Sequence, residues 1–223
     1  MKKIVITGAL GYIGTELCKL YSGFSWKYEV VAIDNRFISE RVNELKRRKI
    51  KFIQADILNL EAIKPFIKEA EIVHHLAGIT DVAYVKKEAD IEKDSLVEKV
   101  AIKGTANVLE SMNTNATIVF PSTHVVFEGL KEKKENLDEN EKTNTFLAYS
   151  TSKVENENQI IKSGNNYAIF RLGSVYGFST DTMRMNIMPN LFSKIASQNG
   201  KIKLFGGGVQ LKSLVPLIDV ARC

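Results

Sequence analysis

The sequence predicts an α/β protein: a doubly wound parallel sheet with helices on both faces, followed by a small C-terminal lobe. Three observations carry this. Short β-branched runs alternate with longer amphipathic stretches through the first two thirds of the 223 residues. Strand, helix and strand repeated in this way force parallel pairing, because each crossover helix returns the chain to the same edge. The first run enters a glycine-rich turn at once, and beyond Gly177 the alternation stops.

Taken in order, strands are expected at residues 3–7, 29–34, 50–54, 72–76, 116–121 and 167–172. Helices are expected at 13–22, 60–68, 91–112 and 149–162, each with apolar residues at helical spacing. Residues 128–145 (EGLKEKKENLDENEKTNT) are charged and almost free of large apolar side chains, so they are read as a solvated loop. A further helix is expected at 190–198, and a glycine triplet follows at 206–208. The expected division is residues 1–177 as one domain and 178–223 as a partial second lobe.

Composition narrows the function classes. The formal charge of +5 comes from lysines spread along the chain, and the Lys-rich pieces lack interleaved aromatics, which argues against a nucleic-acid path. Two cysteines, Cys18 and Cys223, argue for a reducing compartment and against a disulfide framework. The opening KKIVIT runs straight into a strand pattern, and no apolar run approaches a membrane span. A soluble cytoplasmic protein without membrane partners is expected. His74 and His75 are neighbours on a strand and point to opposite faces, so they cannot share a metal, and no metal site is predicted. Asp181 and the Met-rich stretch 183–188 are read as lining a loop or the core.

Residues 4–14 read IVITGALGYIG, a buried strand feeding Gly8, Gly11 and Gly14 and then an amphipathic helix. Gly8 permits the tight turn, Gly11 lets backbone approach a pyrophosphate, and Gly14 lets helix pack closely on strand. The phosphate charge then meets backbone N–H groups at the helix N-terminus, where Tyr12 and Ile13 join the candidate set. Asp34 ends the second strand twenty residues after Gly14. A carboxylate there accepts ribose hydroxyls and repels a 2′-phosphate, so NAD is favoured over NADP, with Arg36 as the feature that keeps NADP open. Asn35 lies beside it.

The GxxGxxG spacing resembles the short-chain dehydrogenase/reductase superfamily. Later landmarks resemble its extended branch, the nucleotide-sugar epimerases and dehydratases. QADI at 54–57 is similar to the family segment that contacts adenine, which implies roles for Asp56 and Ile57. HLAG at 75–78 resembles the strand end beside the cofactor and implicates Leu76, Ala77 and Gly78. PSTHVVFEG places Ser122, Thr123 and His124 where the family keeps its catalytic Ser or Thr. YSTSK supplies Tyr149 and Lys153, and RLGSVYG, containing Ser174, resembles the strand near the nicotinamide. GGGVQLKSLVPLIDVA at 206–221 is similar to a family segment whose phosphate-binding Arg is here Lys212. The resemblance implies an NAD-dependent enzyme acting on a nucleotide sugar, a Rossmann-like fold and a homodimer built on helices 91–112 and 149–162.

The chemistry fits those residue types. Tyr149 and Lys153 share a helix face at i,i+4, and this is the only Tyr in the chain with Lys four residues on. A nearby ammonium and an oxidised nicotinamide are expected to pull the Tyr149 pKa down. Tyr149 would then take a proton from a sugar hydroxyl as hydride leaves the same carbon. Lys153 would hold the nicotinamide ribose, and Thr123 would share the substrate hydrogen bond, with Ser122 or His124 as alternatives.

Departures from the family shape the expected reaction. The Asp-Glu pair of the 4,6-dehydratases is replaced by His124 and Val125, which argues against dehydration. STHVVFEG is closer to the turn of the dTDP-4-dehydrorhamnose reductases. Ala101 stands where an Asn is usual, and Lys212 keeps a charge without the bidentate fork of Arg. Family members continue well past the 206–221 segment, so the chain is expected to be truncated. The leading expectation is an NAD-dependent nucleotide-sugar epimerase. A keto-sugar reductase and a non-catalytic NAD-binding sensor or scaffold are the alternatives.

Overall fold

The fold is described from a computed structural model, for residues 1–80, 91–132, 134–179, 183–185, 187–204, 206–209 and 211–223, the side chains of residues 91 and 93 excepted. Asp181 lies outside the described residues.

Six strands form one sheet: β1 (Lys2–Thr7), β2 (Tyr28–Asp34), β3 (Lys51–Gln54), β4 (Ile72–His75), β5 (Thr117–Thr123) and β6 (Asn166–Leu172). Their order is β3-β2-β1-β4-β5-β6, and every pair is parallel. The first three strands build outward to one edge and the next three to the other. The chain therefore reverses direction between β1 and β4, where the connections at the carboxyl ends diverge and open a crevice. Thr7 pairs with Ile33 on one side and His75 on the other, which brings the three strand ends level at the mouth of that crevice.

Both faces of the sheet are covered, so β1 reads as a continuous apolar run instead of an alternating one. Ile4 and Ile6 enter a core with Leu17, Val42 and Leu45, on the side of α1 (Tyr12–Ser22) and α2 (Ser39–Arg47). Val5 enters the opposite core with Ile63, Ile67, Val108 and Ile160. These come from α3 (Leu60–Ile67), α4 (Ile91–Ser111) and α5 (Ala148–Lys162). The helices expected from periodicity form within two residues of their expected ends. The sequence reading did not single out α2, because SERVNELKR buries only Val42 and Leu45 and is otherwise polar.

After β5 a single 3₁₀ turn, His124–Phe127, leads into the charged segment. That segment is a largely exposed loop. Its ends are pinned where Gly129 N–H donates to Asn144 O at 2.8 Å and Asn144 N–H donates to Val126 O at 2.8 Å. Beyond β6, β7 (Ser174–Tyr176) pairs in parallel with β8 (Leu214–Pro216), so a strand pair joins the segments on either side of residue 177. Helix α6 (Met188–Ser197) lies between them, and α7 (Leu217–Arg222) follows β8 and packs on α1. Among the described residues no helix is long and apolar enough to cross a membrane.

The two histidines of β4 do point to opposite faces. His74 Nε2 hydrogen-bonds the Tyr21 hydroxyl at 2.8 Å. His75 bridges Thr7 Oγ1 at 2.9 Å and Thr105 Oγ1 at 3.0 Å. Burial pushes His74 down to about 4 and, helped by the Lys153 charge, His75 down to about 3. Both are depressed relative to the unfolded value near 6.5, so the stability they represent is present above that pH and is lost as pH falls toward 3. Denaturant unfolding at pH 5 should therefore show on the order of 3 kcal/mol less stability than at pH 7. His74→Phe should remove about half of that dependence.

Candidate active site

A cleft of about 650 Å³ opens at the carboxyl ends of the strands. Along it lie Gly8, Gly11, Tyr12, Ile13 and Gly14 from the β1–α1 turn, Asp34 and Asn35 after β2, and Asp56 and Ile57 after β3. Leu76, Ala77 and Gly78 after β4, Ser122, Thr123 and His124 from β5, Tyr149 and Lys153 from α5, and Ser174 from β7 complete the set. One sequence-predicted residue stands apart. Lys212 is exposed in the segment before β8 and lies outside the cleft lining, with its charge felt at His124.

The glycine turn fits a bound dinucleotide. Gly8 has φ +68°, and a Cβ there would lie 2.7 Å from the Ala77 backbone nitrogen. A Cβ on Gly14 would lie 2.5 Å from the Gly8 carbonyl oxygen, so α1 reaches its position only without one. Helix α1 begins at this turn with Gly11 as its N-cap and no side chain satisfying it. The first N–H groups of a helix lack intrahelical acceptors and carry its positive dipole end, which suits a pyrophosphate. The Tyr12 ring reaches across the cleft, its hydroxyl donating to the Gly177 carbonyl, so the phosphate turn is tied to the chain after β7.

Asp34 is held in place before any ribose arrives. Its Oδ2 accepts Leu10 N–H at 3.0 Å, and its Oδ1 accepts Arg36 N–H at 3.1 Å and Arg36 Nε at 3.0 Å. Next to it along the cleft, Asp56 accepts Leu58 N–H at 2.8 Å and the Asn35 side-chain amide at 3.2 Å. Asp34→Ser should weaken NAD about tenfold or more, since a charge-assisted hydrogen bond is worth roughly 1.5–3 kcal/mol. The same change frees Arg36 to meet a 2′-phosphate, so NADP should gain. Paired titrations with the two cofactors check both signs.

At the other end, Thr123 closes β5; its side chain accepts Val125 N–H at 3.2 Å and stands near enough to Tyr149 to lower its pKa. Tyr149 is the second residue of α5, and its N-cap Leu147 offers no capping side chain. Glu128 supplies the cap from a distance, its Oε1 accepting Phe146 N–H at 3.1 Å and Leu147 N–H at 2.9 Å. One turn on, Lys153 donates to the Pro121 carbonyl at 2.8 Å and lies 4.3 Å over the Phe120 ring. Its ammonium is 6.0 Å from the Tyr149 ring centroid.

This arrangement corrects one electrostatic expectation. Burial raises the Tyr149 pKa, opposed by the Arg184 charge and the Thr123 hydrogen bond. Lys153, aimed at the Pro121 carbonyl, is not among the groups that lower it, and burial brings its own pKa down to about 8. Ser122 also differs from Thr123 in use: its hydroxyl donates to Glu157 behind the strand. His124 sits in the 3₁₀ turn, 3.5 Å from the Ser174 hydroxyl. The Ala101 position contributes only backbone, its carbonyl receiving the Asn156 amide at 3.1 Å.

Two contributors escaped the sequence reading. Arg184 lines the cleft from a stretch with neither strand nor helix periodicity, so no pattern marked it. Glu157 carried a usable signal, since it lies four residues after Lys153 on the same helix.

Comparison with known proteins gives a consistent picture. The model of the NAD dependent epimerase/dehydratase family matches residues 4–223. A putative UDP-glucose 4-epimerase of Methanocaldococcus jannaschii is 28% identical over 228 residues, covering 98% of this chain and 71% of that protein. The structure of Thermotoga maritima UDP-glucose 4-epimerase with UDP-glucose superimposes with a TM-score of 0.82 at 23% identity, over 99% of this chain and 71% of that one. Bacillus cereus UDP-glucuronic acid 4-epimerase with UDP-glucuronic acid and NAD gives 0.78 at 24% identity, over 99% and 71%. At these identities the structures establish the fold alone, and the chain spans about seven tenths of each relative's length.

Proposed function

The chain belongs to the NAD-dependent epimerase/dehydratase family, and within it we propose a nucleotide-sugar epimerase that inverts a ring carbon through transient oxidation to a ketone. The observation that carries this reading is one cleft holding both the glycine cradle with Asp34 and the Thr123–Tyr149–Lys153 group. Gly8, Gly11, Gly14 and Asp34 would hold NAD, which would supply a hydride acceptor for the oxidation and a hydride donor for the return.

The chain's own residues do the rest. Tyr149 takes the proton of the ring hydroxyl and gives it back after the sugar presents its other face. Thr123, whose side chain stands near Tyr149, orients that hydroxyl. Lys153, on the cofactor side, holds the nicotinamide ribose and supports tyrosinate once the site is filled. At the dehydratase acid-base positions, His124 and Val125 fall in the 3₁₀ turn and bring no carboxylate, so elimination has no agent there.

The test is to mix the NAD-loaded protein with UDP-, dTDP- and GDP-sugars and follow proton NMR. New anomeric signals without accumulation of reduced cofactor support the epimerase. The STHVVFEG turn favours a second reading, a keto-sugar reductase with the same residues, and net oxidation of NADH or NADPH by a 4-keto sugar would select it. We also propose a homodimer through α4 and α5, which pack on each other and leave Leu96, Ile102 and Ile161 exposed. Sedimentation as a dimer at micromolar concentration is expected, and a monomer at high concentration would count against it.

A further inference from the structure

Directly behind the Tyr149–Lys153 pair lies a buried charged cluster that the proposed chemistry leaves unused. Glu157 sits on α5 one turn past Lys153, with its side chain 7% exposed. Its carboxylate accepts the Ser122 hydroxyl from the end of β5. It also accepts both arms of the Arg171 guanidinium from the end of β6, Nε at 3.2 Å on one oxygen and Nη2 at 2.8 Å on the other. Ser122 and Arg171 are register partners across β5 and β6, so one carboxylate clamps the helix to two adjacent strand ends. Arg171 extends the clamp, donating to the Glu139 carbonyl at 3.2 Å and lying 5.5 Å over the Phe127 ring.

A buried ion pair is a weak device for stability, because desolvation of both charges offsets most of their attraction. The position of this one suggests another use. On a helix, residues four apart are neighbours, which sets Glu157 next to Lys153 along α5. The strand end it clamps carries the Pro121 carbonyl that receives that ammonium at 2.8 Å. The other groups facing Lys153 are the Phe120 ring, the Tyr149 ring and the His75 imidazole, which feels the Lys153 charge. Glu157 is thus the negative charge acting on a lysine that burial would otherwise drive toward its neutral form.

We propose that Glu157 is a positioning residue for Lys153, holding its ammonium charged and aimed at the end of β5 by clamping α5 to Ser122 and Arg171. The functional meaning rests on the cofactor-side role given to Lys153 above. The charge relation itself can be read without substrate or cofactor, so a chain that epimerises no sugar still decides it.

The experiment is a pH titration by NMR of the whole protein labelled with ¹³C at lysine Cε, with the Lys153 signal assigned by its loss in Lys153→Arg. The unsubstituted protein should titrate at about 8. In Glu157→Gln, which keeps the shape and one acceptor oxygen for Ser122 and Arg171 Nε but loses the acceptor of Arg171 Nη2 and the charge, the Lys153 midpoint should fall by about one unit. Ser122→Ala, which removes one of the clamp's three hydrogen bonds but no charge, should shift it by clearly less. Glu157→Asp keeps the charge but withdraws it by one methylene, and it should shift the midpoint in the same direction by less. It serves if the Gln variant does not fold. No shift in the Glu157 variants, or an equal shift in Ser122→Ala, overturns the proposal.

Discussion

Tyr149→Phe is expected to lower kcat by roughly a thousandfold and to leave NAD affinity within about twofold. The substitution deletes one oxygen and keeps the ring in its buried place at the start of α5. What disappears is the hydroxyl near Thr123 that would move the proton of the sugar hydroxyl. The cradle at Gly8–Gly14 and the Asp34 carboxylate are untouched, so isothermal titration with NAD should report the unsubstituted value. The pH dependence has a definite sign. Activity requires the deprotonated tyrosine, whose pKa burial raises, so the rate should climb with pH through the neutral range. If turnover of a sugar survives the change within about tenfold, Tyr149 is not the base. If neither protein turns over and both bind NAD equally, the sensor reading gains.

The second large effect is expected at Gly14. A methyl group there would meet the Gly8 carbonyl oxygen at 2.5 Å and the Ala9 backbone at 2.7 Å. All of these atoms are main chain, so no rotamer change relieves the overlap and α1 itself must move. Forcing extra volume into packed backbone costs about 1–3 kcal/mol and sometimes more. The moved helix also carries the N–H groups that would meet the pyrophosphate. Gly14→Ala should therefore lower the unfolding midpoint and reduce NAD affinity by about a hundredfold or more. Gly23→Ala at the other end of the same helix is the control. Its Cβ would have only the Leu20 carbonyl at 3.4 Å, an ordinary contact, and its effect should be small.

These contrasts show why the cofactor half of the site was legible in the sequence. Its determinants are local: a strand, three glycines at fixed spacing, a helix and an acid at the end of the next strand all lie within residues 4–34. The pairing of parallel strands followed from the same alternation, because crossover connections leave little choice. Tyr149 and Lys153 were legible as an i,i+4 pair, but their electrostatics were not. Those depend on burial and on Arg184 and Glu157, which adjacency to Tyr149 alone does not reveal. Lys212 was legible as a motif position, and the structure sets it exposed outside the cleft lining with its charge felt at His124. The α2 helix escaped notice because two buried residues in nine make too faint a stripe.

The central claim is that the inverted carbon is oxidised and then reduced within one closed cleft, and a solvent-exchange measurement tests it most directly. The NAD-loaded protein would be given an unlabelled nucleotide sugar that it converts, in D₂O, and the product examined by NMR and mass spectrometry. The account predicts inversion with no deuterium at the inverted carbon, because the hydrogen taken from it is returned without meeting solvent. Deuterium at that carbon would mean deprotonation and reprotonation there and would contradict the account.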